Sequence, residues 1–267
     1  MNEIAHQCCW QGMRMNTSDA RIVLSNGRTI FFDPDDQRGQ RLARDSGNLN
    51  PLTLTMWEAL LCEQAWTHVV DVGANYGEML VNPALPPQAQ IIAIEPNDGI
   101  RRYLTRTLHD AGIAARIVSS AISDSNSVAH FLADRIWSGT SRMARANEIN
   151  SNCTLVETTT LDTLLGVGKN LDGMRLALKV DVEGHEVAVL RGAAGILARA
   201  SQYAALVEVL HLEASDREWL LQHFDLYGLA VASKMLDKLK VGTLDQLDQV
   251  LTSGEYYKQD LVIRSKI

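Results

Sequence analysis

The sequence predicts an α/β fold, in which a mostly parallel sheet carries helices on both faces. Short apolar runs, typical of strands buried on both faces, alternate with segments whose apolar residues recur at helical spacing. The chain has 267 residues, of which 46% are hydrophobic and 21% charged, enough for a sizeable core. Its formal net charge is -7, whereas non-specific binding to nucleic acid requires an excess of basic residues. We therefore expect a globular protein with no nucleic-acid partner.

The first fifty residues are polar and irregular apart from one predicted hairpin. Its strands are Arg21 to Leu24 and Thr29 to Phe32, and Ser25-Asn26-Gly27 supplies the turn. We predict a small N-terminal cap over residues 1–54, followed by one domain over residues 55–267.

The domain is predicted to begin with a helix from Thr53 to Trp66, for which Thr53 is the candidate N-cap. Five apolar runs after this helix are interpreted as parallel strands. They are His68 to Val72, Ile91 to Glu95, Arg116 to Val118, Leu176 to Val182 and Ala204 to Leu210. Helical segments separate the strands, so the order favours an α/β sheet.

Two additional strands, Val128 to Leu132 and Thr154 to Thr160, flank a loop rich in serine and arginine. This loop, Ser138 to Arg145, could lie over a site. The C-terminal part adds one helix and two final strands. They are Arg217 to Phe224, Tyr227 to Ala232 and Asp260 to Arg264.

A loop with two glycines follows the first parallel strand, in the segment Asp71-Val72-Gly73-Ala74-Asn75-Tyr76-Gly77. Glycines at this edge of a sheet let a ligand approach the backbone. The dinucleotide fingerprint G-x-G-x-x-G would require glycine and a small residue where the chain has Asn75 and Glu78. An acidic strand tip such as Asp71 instead suits a cofactor with an ammonium and a sulfonium group, as in S-adenosylmethionine.

The ends of the next two strands also fit an adenosine cofactor. Glu95 ends the second strand, where a carboxylate can accept hydrogen bonds from both ribose hydroxyls. The small residues of Ser119 to Asp124 follow the third strand and leave room for an adenine ring. In this order, the strand, the glycine loop and the terminal glutamate predict an adenosine-cofactor site.

The fourth strand runs into Glu183-Gly184-His185-Glu186, which brings several ionisable groups to one strand tip. A buried Lys179 needs an acidic partner such as Asp181, and a structural ion pair is an alternative to a catalytic role. For methyl transfer to a hydroxyl, His185 is the first choice of base, because its ordinary pKa lies near neutral pH. Asp181 or Glu183 could orient it or anchor the methionyl ammonium. His185 could equally be a first-turn residue of a helix from Val187 to Ala194.

A divalent metal is an alternative, although the leading interpretation contains none. Its candidate ligands are Asp181, Glu183, His185 and, at the end of the next strand, Glu208 or His211. Cys8 and Cys9 beside His6 are a weaker candidate, because neighbouring side chains in an extended segment point to opposite sides. The four cysteines are too few and too scattered for a disulfide framework.

Five sequence blocks, in this order, resemble the FkbM-type S-adenosylmethionine-dependent methyltransferases. They are D-V-G-A-N-Y-G at 71–77, I-E-P-N at 94–97, A-I-S-D at 121–124, T-L-D at 160–162 and K-V-D-V-E-G-H-E at 179–186. The resemblance covers about residues 55 to 210 and leaves the cap unmatched.

The resemblance implies a class I methyltransferase fold, a Rossmann-like sheet of seven strands in the order 3-2-1-4-5-7-6 with the seventh antiparallel. It implies O-methylation of a sugar or natural product, with Asp181 to Glu186 facing the acceptor. It also implies a role for each cofactor-binding residue. Asp71, Gly73, Asn75 and Gly77 would hold the methionyl part, Glu95 the ribose, and Ser120 with Ala121 the adenine, the set being completed by Ala74, Pro96 and Asp181.

The chain departs from the family pattern in two places. Pro83 curtails the helix after Gly77, so we expect a different wall on the cofactor side. The chain before Thr53 is short, so a lid would come from the loop at Ser138 to Arg145 or from a second subunit. Two other functions stay open, a nicotinamide-dependent oxidoreductase and a non-catalytic adenosine-binding module. We expect a cytoplasmic protein without a membrane span that acts on a small hydroxylated acceptor, and a homo-oligomer is left open.

Overall fold

The structure is a computed structural model that describes residues 20–166, 171–229 and 239–265. The strands are β1 Ala20–Val23, β2 Thr29–Phe32, β3 His68–Val72, β4 Gln90–Ile94, β5 Ala115–Val118, β6 Ala121–Ile122, β7 Ser127–Leu132, β8 Arg142–Met143, β9 Cys153–Thr159, β10 Arg175–Val180, β11 Gln202–Glu208, β12 Phe224–Gly228, β13 Leu239–Val241 and β14 Asp260–Ser265. The helices are α1 Gln37–Arg44, α2 Pro51–Cys62, α3 Glu78–Val81, α4 Asp98–Asp110, α5 Leu161–Leu165, α6 Glu186–Arg191, α7 Ala194–Arg199, α8 Ala214–His223 and α9 Leu244–Thr252.

The main sheet has eight strands in the order β13-β12-β14-β11-β10-β3-β4-β5. The five predicted core strands are parallel, and β14 is antiparallel to both of its neighbours. The predicted fold class is therefore confirmed. The prediction of seven strands with one antiparallel is corrected, because β13 adds an edge strand that also runs against the parallel direction. With only three residues, β13 is too short to produce a periodic signal in the sequence.

The two additional predicted strands belong to a separate sheet. They are observed as β7 and β9, which pair antiparallel within a four-stranded sheet of order β6-β9-β7-β8. One face of this sheet meets solvent, since Val128 and Leu155 are largely exposed. Alternation along the sequence correctly predicted the strands, but only pairing decides which sheet they join.

The first long helix begins earlier than predicted and has a different cap. Asn50 occupies the N-cap and Pro51 the first helical position, where a missing N–H costs nothing. Thr53 lies inside the first turn, and its hydroxyl lies 2.7 Å from that of Tyr257. The predicted N-cap at Thr53 is therefore wrong. The helix also ends before Trp66, whose indole N–H donates to a helix carbonyl at 2.8 Å.

Near the C-terminus the observed helix and strand each begin three residues earlier than predicted. The strand predicted over Tyr227 to Ala232 is observed as β12, which begins at Phe224 directly after α8. Ala232 lies outside the described residues, as do Cys8, Cys9 and His6.

The predicted hairpin forms from β1 and β2, which pair antiparallel. Its buried residues Ile30 and Phe31 belong to the same hydrophobic cluster as α2 and α4, and the Phe31 N–H donates to the Thr107 hydroxyl of α4 at 3.0 Å. The hairpin thus packs on the helix layer of the domain, and a division at residue 54 remains our proposal. No helix in the described ranges is long and apolar enough to cross a bilayer.

Candidate functional site

The carboxyl ends of the central parallel strands open into a crevice of about 450 Å³. This is where ligands bind in open α/β sheets, because the loops diverge there. Eight of the predicted site residues line this crevice. They are Gly73, Asn75, Glu95, Pro96, Ala121, Asp181, Glu183 and His185.

The glycine loop forms the floor of the crevice. Gly73 has a φ of +86°, and a Cβ at this position would lie 1.9 Å from the carbonyl oxygen of Asp181. Only glycine therefore lets the loop pass this close to the end of β10. Asn75 also adopts a left-handed conformation, with a φ of 45°. Gly77 starts the four-residue helix α3, whose shortness agrees with the expected effect of Pro83.

Glu95 is fixed by two backbone amides at the end of β4. Its Oε2 accepts the Asn75 N–H at 3.0 Å and its Oε1 accepts the Asn97 N–H at 2.8 Å. Burial raises the pKa of Glu95 to about 7, and the two amides act against this rise. Each carboxylate oxygen keeps a free acceptor position, so the group can still bind two hydroxyls.

Some of the predicted cofactor residues lie outside this lining. Asp71 is fully buried beneath the loop, and neither carboxylate oxygen has a hydrogen-bond partner among the described residues. Burial raises the pKa of Asp71 to about 6, against the attraction of Lys179 on the neighbouring strand. Ala74 is likewise buried, while Ser120 lines an adjoining cavity that shares Pro96 with the crevice.

The predicted ion pair on β10 is present. The Lys179 Nζ lies 2.8 Å from Oδ2 of Asp181, and Lys179 is almost fully buried. Burial acts to raise the pKa of the Asp181 carboxyl, but the ion pair with Lys179 outweighs it and the pKa is lowered. Asp181 is therefore an anion at the rim of the crevice.

His185 occupies the N-cap position of α6, so it lies directly before the first helical turn in which the alternative interpretation placed it. Its Nε2 lies 3.0 Å from the Ser123 hydroxyl, and burial lowers its pKa. Glu186 does not line the crevice: it is buried, and its carboxylate accepts the amides of Val182 and Gly184 at 3.0 and 3.1 Å. Glu186 thus shapes the loop instead of facing an acceptor.

Glu183 and two residues from the end of β11 form an acidic corner. Glu183 has a φ of 58°, uncommon for a residue with a side chain, and its Oε2 lies 3.0 Å from Nε2 of His211. Burial, together with Asp181 and Glu186, raises the pKa of Glu183 to about 7. Burial and the same neighbouring carboxylates raise the pKa of Glu208 to about 10.

The cap contributes residues that sequence reasoning missed. Arg38 donates to Oδ1 of Asn75 at 2.9 Å and forms an ion pair with Glu78. Asp36 accepts the hydroxyls of Tyr76 and Ser138 at 2.6 and 2.7 Å. These contacts join α1, the glycine loop and the predicted covering loop at one side of the crevice. Because the cap carries no recognisable motif, nothing in the sequence pointed to these two residues.

The arrangement fits the cofactor predicted from the sequence. Gly73 lines the crevice without a side chain, Glu95 can accept two ribose hydroxyls, and the ionised Asp181 suits a positively charged group. Ala121 offers a small apolar surface for an adenine ring.

Two of the solved structures to which this chain is similar are methyltransferases. The O-methyltransferase TomG of Streptomyces achromogenes, involved in tomaymycin synthesis and solved with S-adenosylmethionine, is 13% identical, with 89% of this chain and 92% of that chain covered at a TM-score of 0.45. A methyltransferase from Geobacter sulfurreducens is 12% identical, with 88% and 90% covered at a TM-score of 0.45. No curated protein matches this sequence.

The family model described as the methyltransferase FkbM domain matches residues 71–240, which is more than half of the chain. The match includes the glycine loop, Glu95 and the ionisable tip of β10, the parts that build the crevice. The chain therefore belongs to the FkbM family of methyltransferases, and it is an enzyme that uses S-adenosylmethionine.

Proposed function

We propose that this enzyme transfers the methyl group of S-adenosylmethionine to a hydroxyl of a sugar or another natural product. One observation carries the proposal: the glycine loop and Glu95 open into the same crevice as the ionisable groups after β10. A methyl donor and a proton acceptor can therefore share one space. When bound, the cofactor supplies an electrophilic methyl carbon on a sulfonium.

The cofactor-binding roles follow the sequence prediction, with one shift in emphasis. Gly73 and Asn75 would contact the methionyl part, Glu95 the ribose hydroxyls, and Ala121 with Ser120 the adenine. Asp181 would attract the methionyl ammonium, because Lys179 keeps it ionised. Asp71 would support the glycine loop and not contact the cofactor directly, since it is fully buried and does not line the crevice.

His185 is the proposed base. Its imidazole lines the crevice, and the contact with Ser123 fixes one ring nitrogen. An imidazole whose ordinary pKa lies near neutral pH would take the proton of an acceptor hydroxyl, which makes the oxygen a better nucleophile. Such a group contributes about 10²- to 10⁴-fold to a rate.

The wall beyond Glu183 and His211 supports a hydroxylated acceptor. A cavity adjoining the crevice is lined there by Arg135, Arg142 and Asn152, all hydrogen-bond donors. Arg142 is held in place by Glu148 at 2.6 Å. Several hydrogen-bond donors around an open cavity match a molecule that presents many oxygen atoms.

Calorimetric titration with S-adenosylhomocysteine, with NAD as the control ligand, tests the cofactor half of the proposal. Saturable binding of the first alone is expected, and binding of NAD alone would favour the nicotinamide alternative. Labelled S-adenosylmethionine should then be offered with sugars and hydroxylated natural products, each paired with its deoxy analogue. Label in the hydroxylated member only supports O-methylation, whereas equal label in both members contradicts it.

Cofactor binding without transfer to any of these hydroxylated acceptors would contradict the proposed acceptor class. A cytoplasmic location and a homo-oligomer remain proposals that gel filtration and fractionation can address.

A further inference from the structure

The acceptor end of the crevice holds three potential metal ligands that the proposed methyl transfer does not use as base. We propose that Glu183, Glu208 and His211 bind a divalent transition-metal ion. The sequence offered a metal at this strand end only as an alternative, with a broader set of candidate ligands, and the leading interpretation contained none. The suggested use of the ion in orienting the acceptor rests on the proposed function, but the site itself rests on geometry alone.

The three ligand atoms already lie close enough to surround one ion. One atom from each residue lies within 4.8 Å of the others. Nε2 of His211 and Oε2 of Glu183 are 3.0 Å apart. Two ligands about 2.1 Å from a common ion and at right angles to each other would be about 3.0 Å apart. The observed pair could therefore accept an ion with little movement.

Glu208 gives a second, independent indication. The residue is only 4% exposed, and its Oε2 has no hydrogen-bond partner among the described residues. A buried polar oxygen without a partner is unfavourable, and here another acidic residue, Asp260, lies directly opposite on β14. A cation bound beside Glu208 would supply the missing partner.

The other metal ligands suggested by the sequence are occupied elsewhere. Asp181 is paired with Lys179, and Nε2 of His185 contacts the Ser123 hydroxyl. The structure thus selects one subset of the candidates and leaves Asp181 and His185 to the proposed transfer.

The ligand set indicates the kind of ion. One imidazole with two carboxylates suits manganese, iron or zinc better than an all-oxygen calcium or magnesium site. The side chain of His211 is 48% exposed, so the site is open toward the adjoining cavity. An ion with free coordination positions there could hold two neighbouring acceptor oxygens.

The test is titration of the full-length protein with Mn²⁺, followed by electron paramagnetic resonance of the free ion. Mn²⁺ is chosen because it prefers oxygen and nitrogen ligands, so the cysteines should not compete. We expect one saturable site. Glu208→Gln and His211→Asn should each weaken it at least about tenfold, since even indirect partners of a metal cost 10- to 100-fold. Glu58→Gln, at an exposed position far from the cluster in sequence, is the matched control and should bind as the wild type does.

Absence of saturable Mn²⁺ binding, or equal binding by Glu208→Gln and the wild type, would overturn the inference. Circular dichroism of each variant shows whether it is folded, and the near-isosteric Gln keeps the shape of the buried side chain. S-adenosylhomocysteine binding on the same samples separates the two proposals. If the cofactor analogue binds and methyl transfer continues in EDTA without Mn²⁺ binding, the metal site is wrong and the proposed function stands. If Mn²⁺ binds and the analogue does not, the metal site stands and the proposed function is wrong.

Discussion

The two halves of the crevice treat their carboxylates differently. In the cofactor half, Glu95 accepts two backbone amides and Asn75 is held by Arg38. In the acceptor half, Glu208 has an oxygen without a partner among the described residues, and Glu183 sits in a left-handed conformation. The first half is thus largely preorganised by the chain itself. The second half leaves an acidic oxygen without a partner among the described residues, a position that a bound cation would fill.

The largest effect is expected in the acceptor half. His185→Ala should lower kcat about a thousandfold if the imidazole is the base, because general-base catalysis contributes about 10²- to 10⁴-fold. The dissociation constant of S-adenosylhomocysteine should change little, since the cofactor contacts lie in the other half. Steady-state kinetics and calorimetry measure the two effects separately. Full turnover in the variant would remove His185 from this role.

A substitution at Gly73 should break the cofactor half. In Gly73→Ala the new Cβ would lie 1.9 Å from the Asp181 carbonyl oxygen, and the alanine would have to adopt a φ of +86°. We expect the free energy of unfolding to fall by about 3 kcal/mol, from backbone strain and overpacking together. Urea denaturation measures it. Gly112→Ala is the control, because Gly112 has a φ of +66° and no neighbour within 4 Å, so only about 1 kcal/mol should be lost. Equal losses in the two variants would argue against close packing at Gly73.

Glu95→Ala tests the ribose contact. Losing two hydrogen bonds to a carboxylate, each contributing about 1.5 kcal/mol, should weaken S-adenosylhomocysteine binding about a hundredfold. Glu95→Gln should lose less, because its carbonyl oxygen still accepts one hydrogen bond. Calorimetry gives both values. An unchanged affinity in Glu95→Ala would show that the ribose binds elsewhere.

The smallest expected effect is the pH dependence of the contact between Glu95 and the ribose. Because burial raises the pKa of Glu95 to about 7, its ionised fraction rises from about one tenth at pH 6 to about nine tenths at pH 8. The ionised form is the better acceptor, so affinity for S-adenosylhomocysteine should increase up to about tenfold over this range. Glu95→Gln should lack this increase. A rise of the same size in that variant would assign the pH dependence to another group.

Much of the cofactor half was predictable because its residues are close in sequence. The segment from Asp71 to Gly77 is a single strand-to-helix turn. Lys179 lies near the end of β10, and Asp181 directly follows the strand, two residues further on. A buried lysine two residues from an aspartate has an obvious partner, and the pair is observed at 2.8 Å. By contrast, Thr53 looked like a helix cap, but a preceding proline and distant C-terminal partners gave it another position.

The sequence by itself determined the alternation of strands and helices, the glycine loop and the family, because these depend on local periodicity and short spacing. Only the tertiary structure brought Arg38 to Asn75, and joined Glu183 with Glu208 and His211 in one corner. Those contacts depend on the order and register of strands far apart along the chain. Local pattern fixes each element and the face it buries, whereas packing in three dimensions decides which element ends meet.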